Sequence, residues 1–248
     1  MGFERRQNYL REGHRYGYKW FPDSESPLFT YGPQFSGETI WNRESWDLET
    51  LGWGLSYSID WKNSRSIELS YRPQYELLYE LFELSDDAFI SVGSYRFDSF
   101  RLEYGTNQTK SYFAEFEVNV GEFYDGWRTG FSVAPTASVS ASVEMTGTYE
   151  YNNISFGSRN QNCQVHVLGL NALYMYSTKL PLSALVLYNS DDKKYFGNVR
   201  FRYNPKEGVD LFIVYNDLLN TDLNRVLPNL PRSTERTILL KYSYTFRL

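Results

Sequence analysis

Hydrophobic and polar residues alternate along most of this chain. Over residues 51–61 the odd positions are Leu51, Trp53, Leu55, Tyr57, Ile59 and Trp61, and the even ones are Gly52, Gly54, Ser56, Ser58 and Asp60. Successive side chains of a β-strand point to opposite faces, so this run predicts a strand with one apolar and one polar face. After the polar Lys62-Asn63-Ser64, a second run sets Ile67, Leu69, Tyr71, Pro73, Tyr75 and Leu77 against Glu68, Ser70, Arg72, Gln74 and Glu76, which completes a hairpin. The rhythm returns at Tyr112–Val120, at Val139–Met145, at Leu168–Tyr176 and at Val199–Tyr203. It closes the chain with Ile238, Leu240, Tyr242, Tyr244, Phe246 and Leu248 against Thr237, Lys241, Ser243, Thr245 and Arg247.

About thirteen such segments are expected, near 14–21, 28–42, 48–61, 66–78, 94–105, 111–121, 127–135, 138–151, 162–177, 182–189, 194–204, 209–216 and 236–248, and no substantial helix. One phase slip, where Tyr95 and Phe97 give way to Phe100, Leu102 and Tyr104, predicts a β-bulge or a displaced strand boundary. Counted back from the C-terminus, the connections alternate between longer loops (217–235, 190–193, 152–161, 121–126, 80–93) and short turns (204–208, 178–181, 135–138, 106–110). That asymmetry is characteristic of an outer-membrane barrel. The expectation is an all-β, antiparallel, up-and-down transmembrane β-barrel with 12–14 strands in residues 1–248, read as one domain.

Composition narrows the function. Aromatic residues make up 18% of the 248 positions, too many for a disordered chain, and a net charge of -5 gives no electrostatic ground for nucleic acid as a partner. One cysteine and two histidines provide neither a disulfide framework nor a Cys/His zinc cluster. The longest stretch without charge, 160–178, is broken by Asn160, Gln161, Asn162, Gln164, His166 and Asn171, so no helix crosses a bilayer. The first residues lack the apolar core of a signal peptide, so either the chain is cytosolic or an exported precursor begins upstream.

A soluble sandwich also alternates, so the choice rests on three further features. Aromatics gather toward strand ends, as with Trp53 and Trp61 or Tyr149 and Tyr151, where interfacial girdles lie. The opposite faces carry both signs of charge, and Glu68, Arg72, Glu115, Glu117, Glu144, Arg200, Arg202 and Lys241 are the candidate lumen-facing polar residues. The segments have the length that crosses a bilayer when tilted. At the chain end Tyr242, Tyr244, Phe246 and Leu248 share a face and read as the assembly signal of an outer-membrane protein, with Leu in the last position where Phe is usual.

The segment Val209-Asp210-Leu211-Phe212-Ile213-Val214-Tyr215-Asn216 and the later Arg236-Thr237-Ile238-Leu239-Leu240-Lys241-Tyr242-Ser243-Tyr244-Thr245-Phe246-Arg247 resemble the C-terminus of a family of large bacterial proteins. These carry a family-nine carbohydrate-binding module followed by a long uncharacterised β-barrel domain. Gly2-Phe3-Glu4-Arg5-Arg6 resembles a Gly-Phe-x-Arg-Arg element in the middle of that domain, without the Asn-Asp-Leu that precedes it in the family. The resemblance implies that the chain is the second half of the barrel domain, that its precursor starts far upstream, and that its strands are part of a larger closed sheet. It carries no catalytic residues onto this sequence.

Candidate chemistry is sparse. Glu115 and Glu117 share a strand face at a spacing within the inverting-glycosidase range, yet such pairs recur along these strands as ordinary polar-face charge. His166 has no serine motif beside it, His14 is expected near a strand start, and the loop pairs Asp86-Asp87 and Asp191-Asp192 lack a calcium-loop pattern. No cofactor or metal is called for. The reading is a non-enzymatic barrel of the bacterial outer membrane, an anchor or conduit whose partners are the lipid bilayer, the outer-membrane assembly machinery and glycans held by a domain outside this chain. A soluble carbohydrate-binding or glycoside-hydrolysing β domain is the alternative.

Overall fold

The computed structural model describes residues 8–85, 88–224 and 228–246. Its strands are β1 (Tyr9–Gly17), β2 (Leu28–Asn42), β3 (Leu48–Trp61), β4 (Ser66–Leu78), β5 (Phe82–Ser85), β6 (Ala88–Ile90), β7 (Gly93–Gly105), β8 (Tyr112–Phe123), β9 (Gly126–Ser140), β10 (Val143–Phe156), β11 (Gln161–Ser177), β12 (Leu180–Asn189), β13 (Lys194–Lys206), β14 (Val209–Asn220) and β15 (Ser233–Tyr244). Among the described residues there is no helix. Thirteen strands form one sheet in chain order, β1-β2-β3-β4-β7 and onward to β15, and β5-β6 is a separate hairpin. The protein is therefore all-β and up-and-down, and the pairings with resolved register are antiparallel.

The thirteen predicted segments correspond to the thirteen strands of the large sheet. The first is shifted: it was expected at 14–21 and lies at Tyr9–Gly17, and beyond it the Tyr18 N–H still donates to the Pro33 carbonyl and Trp20 bridges to Tyr31 in the same register. The β5-β6 hairpin inside the expected loop 80–93 was not foreseen. Loop asymmetry is weaker than expected, since β8, β10, β11 and β14 run on past their last alternating residue and shorten the connections to 124–125, 157–160 and 221–232. The β3-β4 turn is built locally, with the Asn63 side chain accepting from the Arg65 N–H at 3.3 Å and Ser64 at a positive φ of 63°.

The chain falls into two compact units. The first comprises Met1–Gln108, Glu115–Phe131 and Asn152–Gln164, and the second Thr109–Ala114, Ser132–Tyr151 and Val165–Leu248. In the first unit, register aligns Phe35 with Leu55, Leu55 with Tyr71, Tyr71 with Phe100 and Phe100 with Val120, an apolar row across five strands. Phe35, Trp53, Tyr71 and Phe100 form a chain of rings at centroid separations of 6.3, 5.7 and 5.0 Å. Trp53 therefore belongs to a ladder inside the strand and not to a girdle at its end. In the second unit Leu182, Phe201, Ile213 and Leu240 form the equivalent row.

These apolar rows are not buried. In β3, Leu51, Trp53, Leu55 and Tyr57 are exposed while Gly52, Gly54, Ser56 and Ser58 between them are half-buried. Ile238 and Leu240 of β15 are 72% and 68% exposed. The buried hydrophobic side chains are Ala88, Ile90, Phe97, Ile154, Phe156 and Cys163 in the first unit and Val209 in the second.

That small core explains the phase slip, and the explanation is not a bulge. The β4-β7 ladder runs without a shift from Ser66 opposite Gly105 to Leu78 opposite Gly93. One face of β7 stays exposed throughout, but its chemistry changes from Phe100, Leu102 and Tyr104 to Ser94, Arg96 and Asp98. On the other face Arg101 and Glu103 give way to Tyr95 and a buried Phe97. Phe97 lies 6.1 Å from Phe123 and 4.9 Å from Tyr124, and Tyr124 meets Tyr95 at 5.2 Å and Phe82 of the hairpin at 6.4 Å. Tyr124 reaches this position from the two-residue β8-β9 turn, at the left-handed φ of 53° that tight hairpin turns require. Arg159 closes the cluster: its guanidinium stacks on Phe156 at 4.3 Å and Phe89 at 5.4 Å, donates to the Phe89 carbonyl and pairs with Asp125 at 2.8 Å.

Gly126 leaves room for Phe156. A Cβ there would stand 2.6 Å from the Phe156 ring and 2.7 Å from the Ser155 carbonyl oxygen. Gly126→Ala is expected to cost about 1–3 kcal/mol by overpacking. Limited proteolysis would register it as earlier cleavage in 79–92, and unchanged protection would show that this contact does not hold the hairpin.

Candidate functional site

The face opposite the apolar rows carries the polar side chains. Glu68 of β4 lies opposite Glu103 of β7, which lies opposite Glu117 of β8, so three carboxylates share one row. Arg101 in the adjacent row offsets them, with Nη1 3.3 Å from Glu103 and Nε 3.3 Å from Glu117. Ser70 donates to Glu68 at 3.2 Å. Gln108 donates to Glu115 at 2.9 Å, so the two carboxylates considered as an acid/base pair have separate partners.

On the same face β1–β4 form a cleft of about 590 Å³. Its floor has little side-chain bulk, since Gly13, Gly52 and Gly54 line it with Ser36, Ser56 and Ser70. Arg15 is opposite Ser36 and Ser36 is opposite Gly54, while a Cβ on Gly54 would lie 3.7 Å from Arg72 Cγ. One row thus runs from Arg15 over small residues to Arg72. Glu38 at the rim is held bidentately by Arg11, at 2.8 and 2.9 Å. Arg15 and Arg72 have no carboxylate within ion-pair distance among the described residues. The sequence singled out Glu68 and Arg72 but missed Arg15, which lies inside the expected first strand but whose register against β2 the sequence does not carry.

The remaining candidates are dispersed. Ser138 donates to Glu144 at 3.3 Å. Arg202 pairs with Asp210 at 2.7 Å and stacks on Phe212 at 5.3 Å. Arg200 and Lys241 flank a shallower groove floored by Phe212, Val214 and Leu239. Tyr242, Tyr244 and Phe246 are exposed, at 63%, 46% and 82%, whereas Leu248, Gly2–Arg6 and the Asp86-Asp87 pair lie outside the described residues.

His166 is on the apolar side of β11, where Nδ1 meets the Tyr149 hydroxyl at 2.9 Å and Tyr151 packs at 5.0 Å. Ser190 Oγ accepts the backbone N–H of His166 and does not meet its ring through that bond, so this contact is no serine–histidine dyad. His14 lies within β1 and not at its start, with Nε2 2.8 Å from Glu12. Among the described residues no group of three His, Cys, Asp or Glu side chains is arranged to hold a metal.

No family model matches the chain, and no curated protein matches it. Among solved structures, the chain is similar to the ferric-catecholate import receptor Fiu from E. coli K12 in its open form, with a TM-score of 0.53 and 9% sequence identity. The match covers 96% of this chain and 45% of that one, so the likeness is one of fold and spans less than half of the receptor.

Arg101 is the cation that the carboxylate row depends on. Arg101→Met should lower stability in detergent by about 1–3 kcal/mol, the cost of leaving half-buried charges without a partner. Adding Glu117→Gln should recover part of that loss in urea titrations, and strictly additive effects would show that the two side chains are uncoupled.

Proposed function

We propose that this chain is part of a bacterial outer-membrane β-barrel and serves as a non-enzymatic anchor or conduit linked to glycan binding at the cell surface or in the periplasm. The observation that carries the membrane reading is the inverted exposure of strands such as β3, whose large apolar residues are exposed while the small polar ones are half-buried. In water such a face is an aggregation surface; against acyl chains it is at its lowest free energy. Lipid provides no hydrogen-bond partners, so a spanning sheet has to close on itself; the thirteen-strand order pairs β2 to β14 on both sides and leaves β1 and β15 as the edges through which the rest of a larger barrel would close.

The conduit part rests on the polar face with its ion pairs and cleft, and on the likeness in fold to an import receptor. The glycan part rests on the resemblance of the C-terminal segments to barrels that follow a carbohydrate-binding module. The exposed Tyr242, Tyr244 and Phe246 are suited to recognition by the assembly machinery before the strand pairs in the membrane.

Expression behind a signal peptide, envelope fractionation and gel migration with and without boiling test this reading. The expected result is an outer-membrane band whose migration changes on boiling, with much less of it when Tyr242, Tyr244 and Phe246 are all Ala. A β-rich protein that stays in solution without detergent would overturn it.

A further inference from the structure

The cleft on β1–β4 is chemically unlike the rest of the polar face. Elsewhere on that face Arg101 is engaged with Glu103 and Glu117 and Arg202 with Asp210, while Arg200 and Lys241 flank a groove floored by apolar side chains. In the cleft Glu38 is held by Arg11, and Glu68 accepts from the neutral Ser70 hydroxyl, so the lining carries three guanidiniums against two carboxylates. Two guanidiniums, Arg15 and Arg72, remain without an acidic partner among the described residues, on either side of the Ser36-Gly54 floor.

Strands lie about 4.8 Å apart, so three strand spacings separate the two arginine backbones by roughly 14 Å, a gap their side chains narrow to the span of a two- or three-ring ligand. The volume of about 590 Å³ is in the range of small-molecule sites. On either side of the arginine row the lining offers amides and hydroxyls, with Gln34 opposite Ser56 in one flanking row and Gln74 opposite Gly52 in the other. The aromatic side chains of β3 alternate onto the opposite, exposed face, so the floor offers no apolar platform. A ligand suited to this lining is hydrophilic, rich in hydroxyls and negatively charged at more than one position.

We propose that the β1–β4 cleft is a binding site for an acidic saccharide, a short chain of carboxylate-bearing sugars, with Arg15 and Arg72 each taking one carboxylate and Gln34 and Gln74, in the rows to either side, hydrogen-bonding hydroxyls. A guanidinium donates two parallel N–H bonds to a carboxylate, and lysine does not reproduce that geometry. The glycines keep the floor low enough for a sugar ring to lie against the backbone. This deepens the conduit reading by naming the class of solute, and it relies on that reading only for how the solute reaches the cleft.

The test is isothermal titration calorimetry on the full chain folded in detergent, its fold first verified by heat-dependent gel migration, with trigalacturonate, maltotriose and inorganic phosphate as probes. The expected result is saturable, salt-sensitive binding of trigalacturonate and none of maltotriose. Arg15→Gln and Arg72→Gln should each weaken it about tenfold, as loss of one charge-assisted pair does. Gly52→Leu should block it without changing charge, because a Cβ there meets nothing closer than Gln74 Cγ at 3.9 Å and the larger side chain enters the cleft. Arg96→Gln should change nothing, since Arg96 lies on the exposed face 5.9 Å from the Tyr75 ring.

Phosphate binding as tightly as trigalacturonate would reduce the site to an adventitious cation patch and overturn the proposal. Equal binding of maltotriose, or binding unaffected by both arginine substitutions, would overturn it as well. A chain that migrates as a folded barrel yet binds none of the probes overturns the site alone and leaves the membrane reading standing.

Discussion

Backbone hydrogen bonding between sequential neighbours is the constraint on which this structure depends. Because each strand of the large sheet from β2 to β14 pairs with a neighbour on both sides, the backbone is satisfied without a layer packed on top. That frees both faces from the usual task of a soluble sheet, which must bury one of them. Side chains are then sorted by the medium that each face meets. Apolar rows stand exposed on one side, and ion pairs such as Arg101 with Glu103 and Glu117 stand on the other.

β7 shows how sharply that sorting follows position. From Tyr104 to Phe100 its exposed face is apolar, and from Asp98 to Ser94 the same geometric face is polar. The inward residues change in the opposite sense, from Glu103 and Arg101 to Phe97 and Tyr95. A strand that leaves a bilayer and enters water on its outer side has to change in this way, because the lipid no longer rewards apolar side chains there and a packed cluster behind the strand does. On the membrane reading proposed above, the core of Phe97, Ile90, Ile154 and Phe156, capped by Arg159, is that cluster. The β5-β6 hairpin belongs to it, which is why a segment that alternates poorly still forms strands.

Most of the fold was legible because period two is a strong local signal and hairpin connectivity is local too. Most strand positions from 28 onward follow from Leu51–Trp61 and its counterparts, but the turn expected at 135–138 lies inside β9 and the chain turns at 141–142 instead. The misses have a common cause. The slip at Tyr95–Phe100 has the local pattern of a bulge, and only the unbroken register with β4 shows that the faces exchange chemistry at constant geometry. The first strand was set too late because Tyr9–Gly13 pair with Glu38–Asn42 although Leu10, Arg11, Glu12 and Gly13 show no alternation of their own. The polar face was foreseen as a class of residues, Arg72 among them, but the cleft depends on which residues of four strands fall in one row, and a sequence does not carry register.

The central claim, that the exposed apolar rows lie against lipid, is tested most directly by a nitroxide scan along β7. Spin labels at single cysteines from 94 to 104, placed in a Cys163→Ser background and reconstituted into bilayers, report collision with oxygen, which concentrates in lipid, and with a water-soluble nickel chelate. Oxygen accessibility is expected to peak at 100, 102 and 104 and fall at 101 and 103, with the nickel chelate dominating at 94, 96 and 98. Uniform access of the nickel chelate to 100, 102 and 104 would contradict the account and return this face to water.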